Sequence, residues 1–320
     1  MSRDRASFQA SVEQLPSREA AFILRGVSKR YGRASGPVVQ IADLRLERGQ
    51  TVALLGRNGS GKSTLTKLLA GVIAPSKGQV ECLGEHVVPS RPWPSQVVAY
   101  MPQSGGAFNN LTGKESLVLT ARLRGLRGRA AREEVDRVVS LLDCAPLLSR
   151  PTLSMSGGQV RLLQFAVSLV GDLPILLLDE PTNDLDAQKR ELVWGIVEKM
   201  KRSAKTVLVV THVPHEAAAL FDRVIIMRDG LIVGESDARS VVRFAESVIH
   251  IEAGPDSDRL SEIFRRYSRG ETPGRVVAGN LHAAIAGRLV PDLLREIQDL
   301  GVPHLRMRSS SVEDIYDTYS

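Results

Sequence analysis

Gly56 to Ser63 reads G-R-N-G-S-G-K-S, a full G-x-x-x-x-G-K-[ST] pattern. Residues of these types at this spacing bind phosphate. Gly56, Gly59 and Gly61, with Asn58 and Ser60 between them, let the backbone curl so that its N–H groups converge on β- and γ-phosphates. Lys62 sets a cation among those phosphates, Ser63 offers a hydroxyl to Mg²⁺, and Thr64 belongs to the same loop. A nucleoside triphosphate site is the first inference. A second group ends the apolar run "ILLLDE", Ile175 to Glu180. There Asp179 is placed to hold the hydration shell of Mg²⁺, and Glu180, one residue further out, to polarise water for in-line attack. A third stretch, "SMSGGQ" from Ser154 to Gln159, puts two serines and two glycines at the mouth of an apolar helical run. First-turn N–H groups lack intrahelical partners and the helix dipole favours negative charge, so this too reads as an anion-binding turn.

The elements that must position these residues follow from periodicity. Thr51 to Leu55 is a buried strand running into the glycine-rich loop, and Leu65, Leu68 and Leu69 mark the helix after it. Before them, Phe22 to Leu24 and "PVVQIADLRLERG" read as β-type runs. From Ser104 to Ser149 the pattern turns helical, in "KESLVLTARLRG" and "AAREEVDRVVSLLD". Beyond the SMSGGQ turn, "QVRLLQFAVSLV" is an apolar helix, "PILLLDE" a buried strand, "AQKRELVWGIVEKMKR" an amphipathic helix and "KTVLVVTH" another buried strand. Strands alternating with helices predict a mostly parallel sheet covered on both faces. "DRVIIMRDGLIVGES" predicts a hairpin turning at Asp229-Gly230. After Arg239 the pieces follow the order β-α-β-β-α-β, with a poorly marked third strand and a final short helix, compatible with a small ferredoxin-like appendage.

Bulk properties set the frame. A chain of 320 residues, at ~150 per domain, predicts roughly two domains. The net charge of +6 is modest, and the densest basic patch, "ARLRGLRGRAAR" from Ala121 to Arg132, has no aromatic interleaving. It reads as a solvated helical face rather than a nucleic-acid stripe. Cys82 and Cys144 stand apart without a C-x-x-C or histidine cluster, which predicts a reducing compartment. The first twenty residues lack the apolar core of a signal peptide, and Leu162 to Leu178, the most apolar stretch, is interrupted by Gln164, Asp172 and Pro174. A soluble, cytoplasmic protein is expected, with any membrane role borrowed from a partner.

No N-K-x-D guanine-reading motif is present. "MSGGQ", Met155 to Gln159, lying before the "LLLDE" strand and followed at once by a helix, resembles the signature of ATP-binding cassette (ABC) ATPases. That resemblance implies roles for further residues. Tyr31 in "SKRYG" matches the aromatic that stacks on adenine, and Gln103 in "AYMPQ" the glutamine-loop residue that senses the γ-phosphate and Mg²⁺ and couples to a membrane subunit. "NDLD", Asn183 to Asp186, matches the D-loop, and His212 in "VLVVTH" the switch histidine. His215 reads as a helix-start surface residue. The chain departs from the pattern at Met155, in place of the usual leucine, in "QVRLL", which keeps only Arg161 of the basic residues common after the signature, and at Pro214. None of these removes a catalytic group.

The resemblance covers Ala21 to about Ser236. It implies an α/β fold: a P-loop NTPase (RecA-like) ABC cassette with an antiparallel β subdomain and a helical subdomain, followed by a small α+β C-terminal appendage. The expected organisation is a disordered tail at 1–20, a cassette at 21–240 with its helical part at about 104–155, and the appendage at 241–320. It also implies ATP and Mg²⁺ as ligands, with two cassettes, most simply a homodimer, meeting head to tail. Each ATP would lie between the phosphate loop of one and Ser156, Gly157, Gly158 and Gln159 of the other, with Glu180, His212 and Gln103 carrying hydrolysis. "SSSVEDIYDTYS" resembles the ending of daunorubicin-resistance-like exporter ATPases, which implies a separate ABC-2 type membrane permease exporting a drug, antibiotic, lipid or polysaccharide, with the cassette peripheral on the inner face of the cell membrane. A regulatory or nucleic-acid-associated cassette and an importer-type ATPase stay open as alternatives, although no specific nucleic acid is expected.

Overall fold

The computed structural model describes residues 20–32, 36–89, 91–92, 94–104, 110–211, 219–237, 248–255, 258–267, 275–277, 280–298 and 305–309. Residues 1–19 of the tail expected at 1–20, His212, Pro214, His215 and the final helix after 310 lie outside them, whereas Ala20 opens the first strand. The chain divides into two compact units, Met1–Glu235 and Ser236–Ser320.

In the first unit, β1 (Ala20–Lys29) pairs antiparallel with β2 (Val39–Glu47) on one side and β4 (Lys77–Cys82) on the other. With the short β5 (Glu85–His86) they form a four-stranded sheet, order β2-β1-β4-β5. β1 is longer than the Phe22 to Leu24 run expected. Exposed Arg25 and Gly26 interrupt the apolar pattern, but pairing on both edges carries the strand through the interruption.

β3 (Thr51–Gly56) runs into α1 (Lys62–Leu69). After a single turn, α2 (Pro94–Val97), come β6 (Val98–Met101), α3 (Gly113–Leu123), α4 (Gly128–Leu142), α5 (Gly157–Leu169), β7 (Ile175–Asp179), α6 (Ala187–Arg202), β8 (Thr206–Val210), β9 (Arg223–Arg228) and β10 (Leu231–Asp237). The second sheet has the order β10-β9-β3-β8-β7-β6, and β9, β3, β8, β7 and β6 run parallel. Every residue of β3, β7 and β8 is buried, which is why these strands are continuous apolar runs rather than alternating ones. Leu65, Leu68 and Leu69 of α1 join Leu24, Leu44 and Val80 of the antiparallel sheet and Leu54, Leu177 and Leu208 of the parallel sheet in one core.

The helical pair α3 and α4 opens on a capping box between Thr112 and Glu115. Arg122, Arg127, Arg129 and Arg132 are exposed, as expected of a solvated face. Arg124 is not: it turns inward and donates to the carbonyls of Ser168, at 3.2 Å, and Val170. Arg137 of α4 donates to the Leu169 carbonyl at 3.1 Å. The last carbonyls of a helix lack intrahelical donors and carry its negative pole, so two guanidinium groups tie the end of α5 to the helical pair.

The second unit has β11 (Val248–Pro255), α7 (Asp258–Tyr267), β12 (Arg275–Val277), β13 (Asn280–Ala286), α8 (Val290–Gln298) and β14 (Leu305–Ser309). Its sheet is antiparallel in the order β12-β13-β11-β14, around Ile251, Phe264, Ile285 and Leu293. β13, poorly marked because "LHAAIA" is half alanine, pairs with β11 along its whole length.

β9 and β10 meet at Asp229-Gly230, with φ of 49 and 81, the left-handed pair that a two-residue hairpin turn requires. The Gly230 N–H donates to the Ser60 carbonyl at 2.9 Å, tying the hairpin to the phosphate loop. A Cβ at Gly230 would lie 2.6 Å from the Val38 carbonyl oxygen. Gly230→Ala therefore costs about 2 kcal/mol or more through its backbone conformation and this close approach. It should show as a lower urea midpoint together with weakened nucleotide affinity.

Candidate functional site

The carboxyl ends of the parallel strands share one row, since Leu54 of β3 and Asp179 of β7 both register with Val210 of β8. The loop after β3 ends at Gly61, which caps α1 without a side-chain hydrogen bond and with no acidic residue in the first turn. The first N–H groups of α1 are thus left for an anion. Lys62, only 6% exposed, folds back on its own loop and donates to the carbonyls of Gly56 at 2.5 Å and Arg57 at 2.9 Å. Burial lowers its pKa against the opposing pull of Glu180 and Asp179. The Ser60 hydroxyl is buried without a partner among the described residues.

Asp179 is 1% exposed. Neither of its carboxylate oxygens has a hydrogen-bond partner among the described residues, although the Ser63 hydroxyl is close enough to favour the charged form. Burial dominates and holds the pKa of Asp179 above the ordinary carboxylate value. Ser63, Arg161 and Lys62 oppose that rise, and Glu180 adds to it. Glu180 follows with a left-handed φ of 53, its N–H donating to Val210 at 2.8 Å and its Oε2 accepting from the Asn183 amide. The backbone reversal turns the second acid away from the strand and into the loop, where Asn183 orients it.

Gln103 is exposed just beyond β6, and its backbone carbonyl accepts from Arg161 at 3.0 Å. Tyr31, 45% exposed, follows β1 with the Lys29 ammonium 5.3 Å from its ring centroid. His212 lies outside the described residues, although Thr211 before it is buried at the end of β8.

The SMSGGQ turn is built differently from the phosphate loop. Ser156 caps α5 and accepts from the Gln159 N–H at 3.4 Å, while the Gln159 side chain accepts from the Ser156 N–H at 3.1 Å. Arg150 donates to the same Gln159 oxygen at 3.1 Å and to the Ser154 carbonyl at 2.8 Å. The side-chain oxygen of Gln159 thus holds the turn together, and the N–H groups of Gly157 and Gly158 are left without intrahelical acceptors. A Cβ at Gly158 would lie 2.5 Å from the Asp184 carbonyl oxygen, so the D-loop of the same chain passes directly against the turn.

Motif matching missed three side chains: Arg150, Asn183 as a partner of Glu180, and Arg161. Arg161 is the one basic residue retained after the signature. That it is 4% exposed and bonded to both strand ends had no sequence signal beyond its charge inside an apolar helix.

Comparison with known proteins gives the family and the fold. The family profile described as ABC transporter matches residues 39–183. The chain is 35% identical over 255 residues to the Nod factor export ATP-binding protein I of Bradyrhizobium diazoefficiens, covering 78% of this chain and 81% of that one. It is 31% identical over 268 residues to the daunorubicin resistance ATP-binding protein DrrA3 of Streptomyces coeruleorubidus, covering 84% and 78%. A dimeric ATP-binding cassette in a post-hydrolysis state bound to ADP and Pi shares the fold, with a TM-score of 0.63 over 68% of this chain and 99% of that one at 23% identity. A nucleotide-free cassette from an ABC transporter gives 0.60 over 70% and 94% at 17% identity.

The raised pKa of Asp179 has a direct consequence for stability. The folded chain binds this proton more tightly than the unfolded chain, so ionising Asp179 costs stability as pH rises from the ordinary carboxylate value through the raised one. Asp179→Asn removes that cost. The nucleotide-free variant should melt above the wild type at pH 7, each kcal/mol relieved being worth roughly 2–4 °C. The difference should vanish below the ordinary carboxylate pKa, where Asp179 is protonated in both states. Thermal melts of the two proteins across pH check this.

Proposed function

The chain belongs to the ABC transporter family of ATP-binding proteins, and from that premise we propose that it is the ATP-hydrolysing subunit of an exporter. In this reading two copies close around two ATP molecules and drive a substrate through a separate membrane permease. The observation that carries it is the burial of Lys62, Asp179 and Glu180 together at the carboxyl ends of β3 and β7, beneath an uncapped helix N-terminus. Relatives named for Nod factor export and daunorubicin resistance support export, and the likeness to the latter supports an ABC-2 type permease. Among the described residues no helix is long and apolar enough to cross a membrane.

In the first half-site, Tyr31 stacks on adenine while the N–H groups of Gly59 to Thr64 and the Lys62 ammonium receive the β- and γ-phosphates. Asp179 and Ser63 are suited to Mg²⁺, because two orphaned carboxylate oxygens face a hydroxyl at the phosphate end of the site. Among the described residues no three His, Cys, Asp or Glu side chains cluster as a metal site. The ion would therefore draw its remaining ligands from phosphate oxygens, water and Gln103. When bound there it would neutralise charge developing on the β- and γ-oxygens. Glu180 polarises the attacking water and takes its proton, and His212 steadies the γ-phosphate. The partner copy supplies Ser156, Gly157, Gly158 and Gln159, whose spare N–H groups complete the γ-phosphate shell.

Glu180→Gln keeps the shape and loses the base, so turnover should fall by about 10²- to 10⁴-fold with ATP still bound. A variant hydrolysing at the wild-type rate would remove Glu180 from this role. Ser156→Arg should abolish hydrolysis while the isolated subunit keeps its affinity for a fluorescent ATP analogue. Loss of both together would instead assign the turn to the chain's own nucleotide.

A further inference from the structure

β6 and β7 are zipped in parallel as far as the pair Met101 and Leu178. Beyond that pair the ladder stops, and Arg161 bridges the carbonyls of Pro102 and Gln103 on one side and those of Asp179 and Glu180 on the other. From α5, Nη1 of Arg161 donates to Pro102 at 2.8 Å and Gln103 at 3.0 Å. On the other side Nε donates to Glu180 at 3.0 Å, and Nη2 donates to both Asp179 and Glu180. The side-chain oxygen of Gln164, one turn further along α5, accepts from Nη1 at 2.9 Å.

Six hydrogen bonds thus join the three guanidinium nitrogens to five oxygens, none of them a carboxylate oxygen. The hydrogen bonds of the cation all go to dipoles, and they join the two strand ends. We propose that Arg161 is a positioning residue that sets the spacing of Gln103 and Glu180, so that displacement of α5 and its SMSGGQ turn is felt at the hydrolytic carboxylate. This rests on the reading of the site as an ATPase. The guanidinium is a rigid fork and replaces the lost ladder bonds on both sides at once. An ammonium on the same stem is a point donor and holds one side only.

Burial favours loss of the proton from Arg161, while the nearby Asp179, Glu180 and Asp184 charges hold it. An arginine stays protonated under that balance. A lysine there would lose part of the fork and leave carbonyls without donors. The consequence for catalysis is misplacement of Glu180 relative to a correctly bound nucleotide.

The test compares wild type, Arg161→Lys and Gln103→Ala as purified full chains, reading kcat, KM, affinity for a fluorescent ATP analogue, and melting temperature. Arg161→Lys should lower kcat about 100-fold, the scale of an ångström-sized misplacement, with KM and nucleotide affinity unchanged even where the carbonyls left without donors lower the melting temperature. The double variant should lose no more than the worse single variant, because both act on one unit. Should Arg161→Lys fail to fold, Gln164→Leu removes only the oxygen that orients the fork and should also lower kcat at constant KM. Wild-type kcat in the lysine variant overturns the inference. So does a parallel loss of affinity and melting temperature, which marks a structural staple alone. An inactive wild type overturns instead the functional reading on which the inference stands.

Discussion

Four ionisable side chains, Lys62, Arg161, Asp179 and Glu180, are buried where one parallel sheet ends, and burying a charge costs several kcal/mol unless something compensates. Here the compensation is mostly backbone. Lys62 uses the carbonyls of its own loop, and Arg161 those of two strand ends. Spending the cations on carbonyls leaves the oxygens of Asp179 open. The site is therefore charged before any ligand arrives, and the charges are fixed in place. That is the condition under which electrostatic stabilisation of a phosphoryl group is most effective, since no reorganisation is needed when charge develops. The parallel sheet is what makes this possible, because only at its carboxyl ends do several loops leave neighbouring strands on the same side.

The same economy explains why two helix N-termini in one chain look alike in sequence and differ in structure. α1 begins at a glycine with no side chain to cap it, so its donors have no internal use. α5 begins with a capping box braced by Arg150, so its turn is complete as a structural unit and stays exposed at Ser156 and Gly157. An open N-terminus joined to Lys62 suits a ligand held within the chain. A closed and rigid one, with only its first N–H groups unspent, suits presentation to a ligand held elsewhere.

What could be read from sequence follows the range of the interactions. The phosphate loop, the acid pair and the Asp229-Gly230 turn are specified within a few residues, by glycines and by donors next to one another. The buried strands were legible because burial on both faces demands unbroken apolar runs. Arg161 and Pro102 are 59 positions apart, and Arg124 and Val170 are 46 apart. An arginine in an apolar helix or a basic patch does not disclose which distant carbonyls will need it. β1 and β13 are similar cases, where pairing on both edges outweighs exposed or weakly propensive residues.

Gly158 shows how a motif residue can be right for more than one reason. Its N–H is one of the first-turn donors that can meet an anion, and the Asp184 carbonyl would sit 2.5 Å from any Cβ there. A substitution at Gly158 displaces the D-loop and, through the same backbone, Asn183 and the carboxylate of Glu180 that it orients. Lost activity in such a variant would say nothing about phosphate binding by the turn. Ser156 separates the two requirements. Its side chain is exposed and serves the fold only as an N-cap, whose loss costs about 1 kcal/mol. A charge placed there leaves the D-loop packing alone and meets only what approaches the turn from outside.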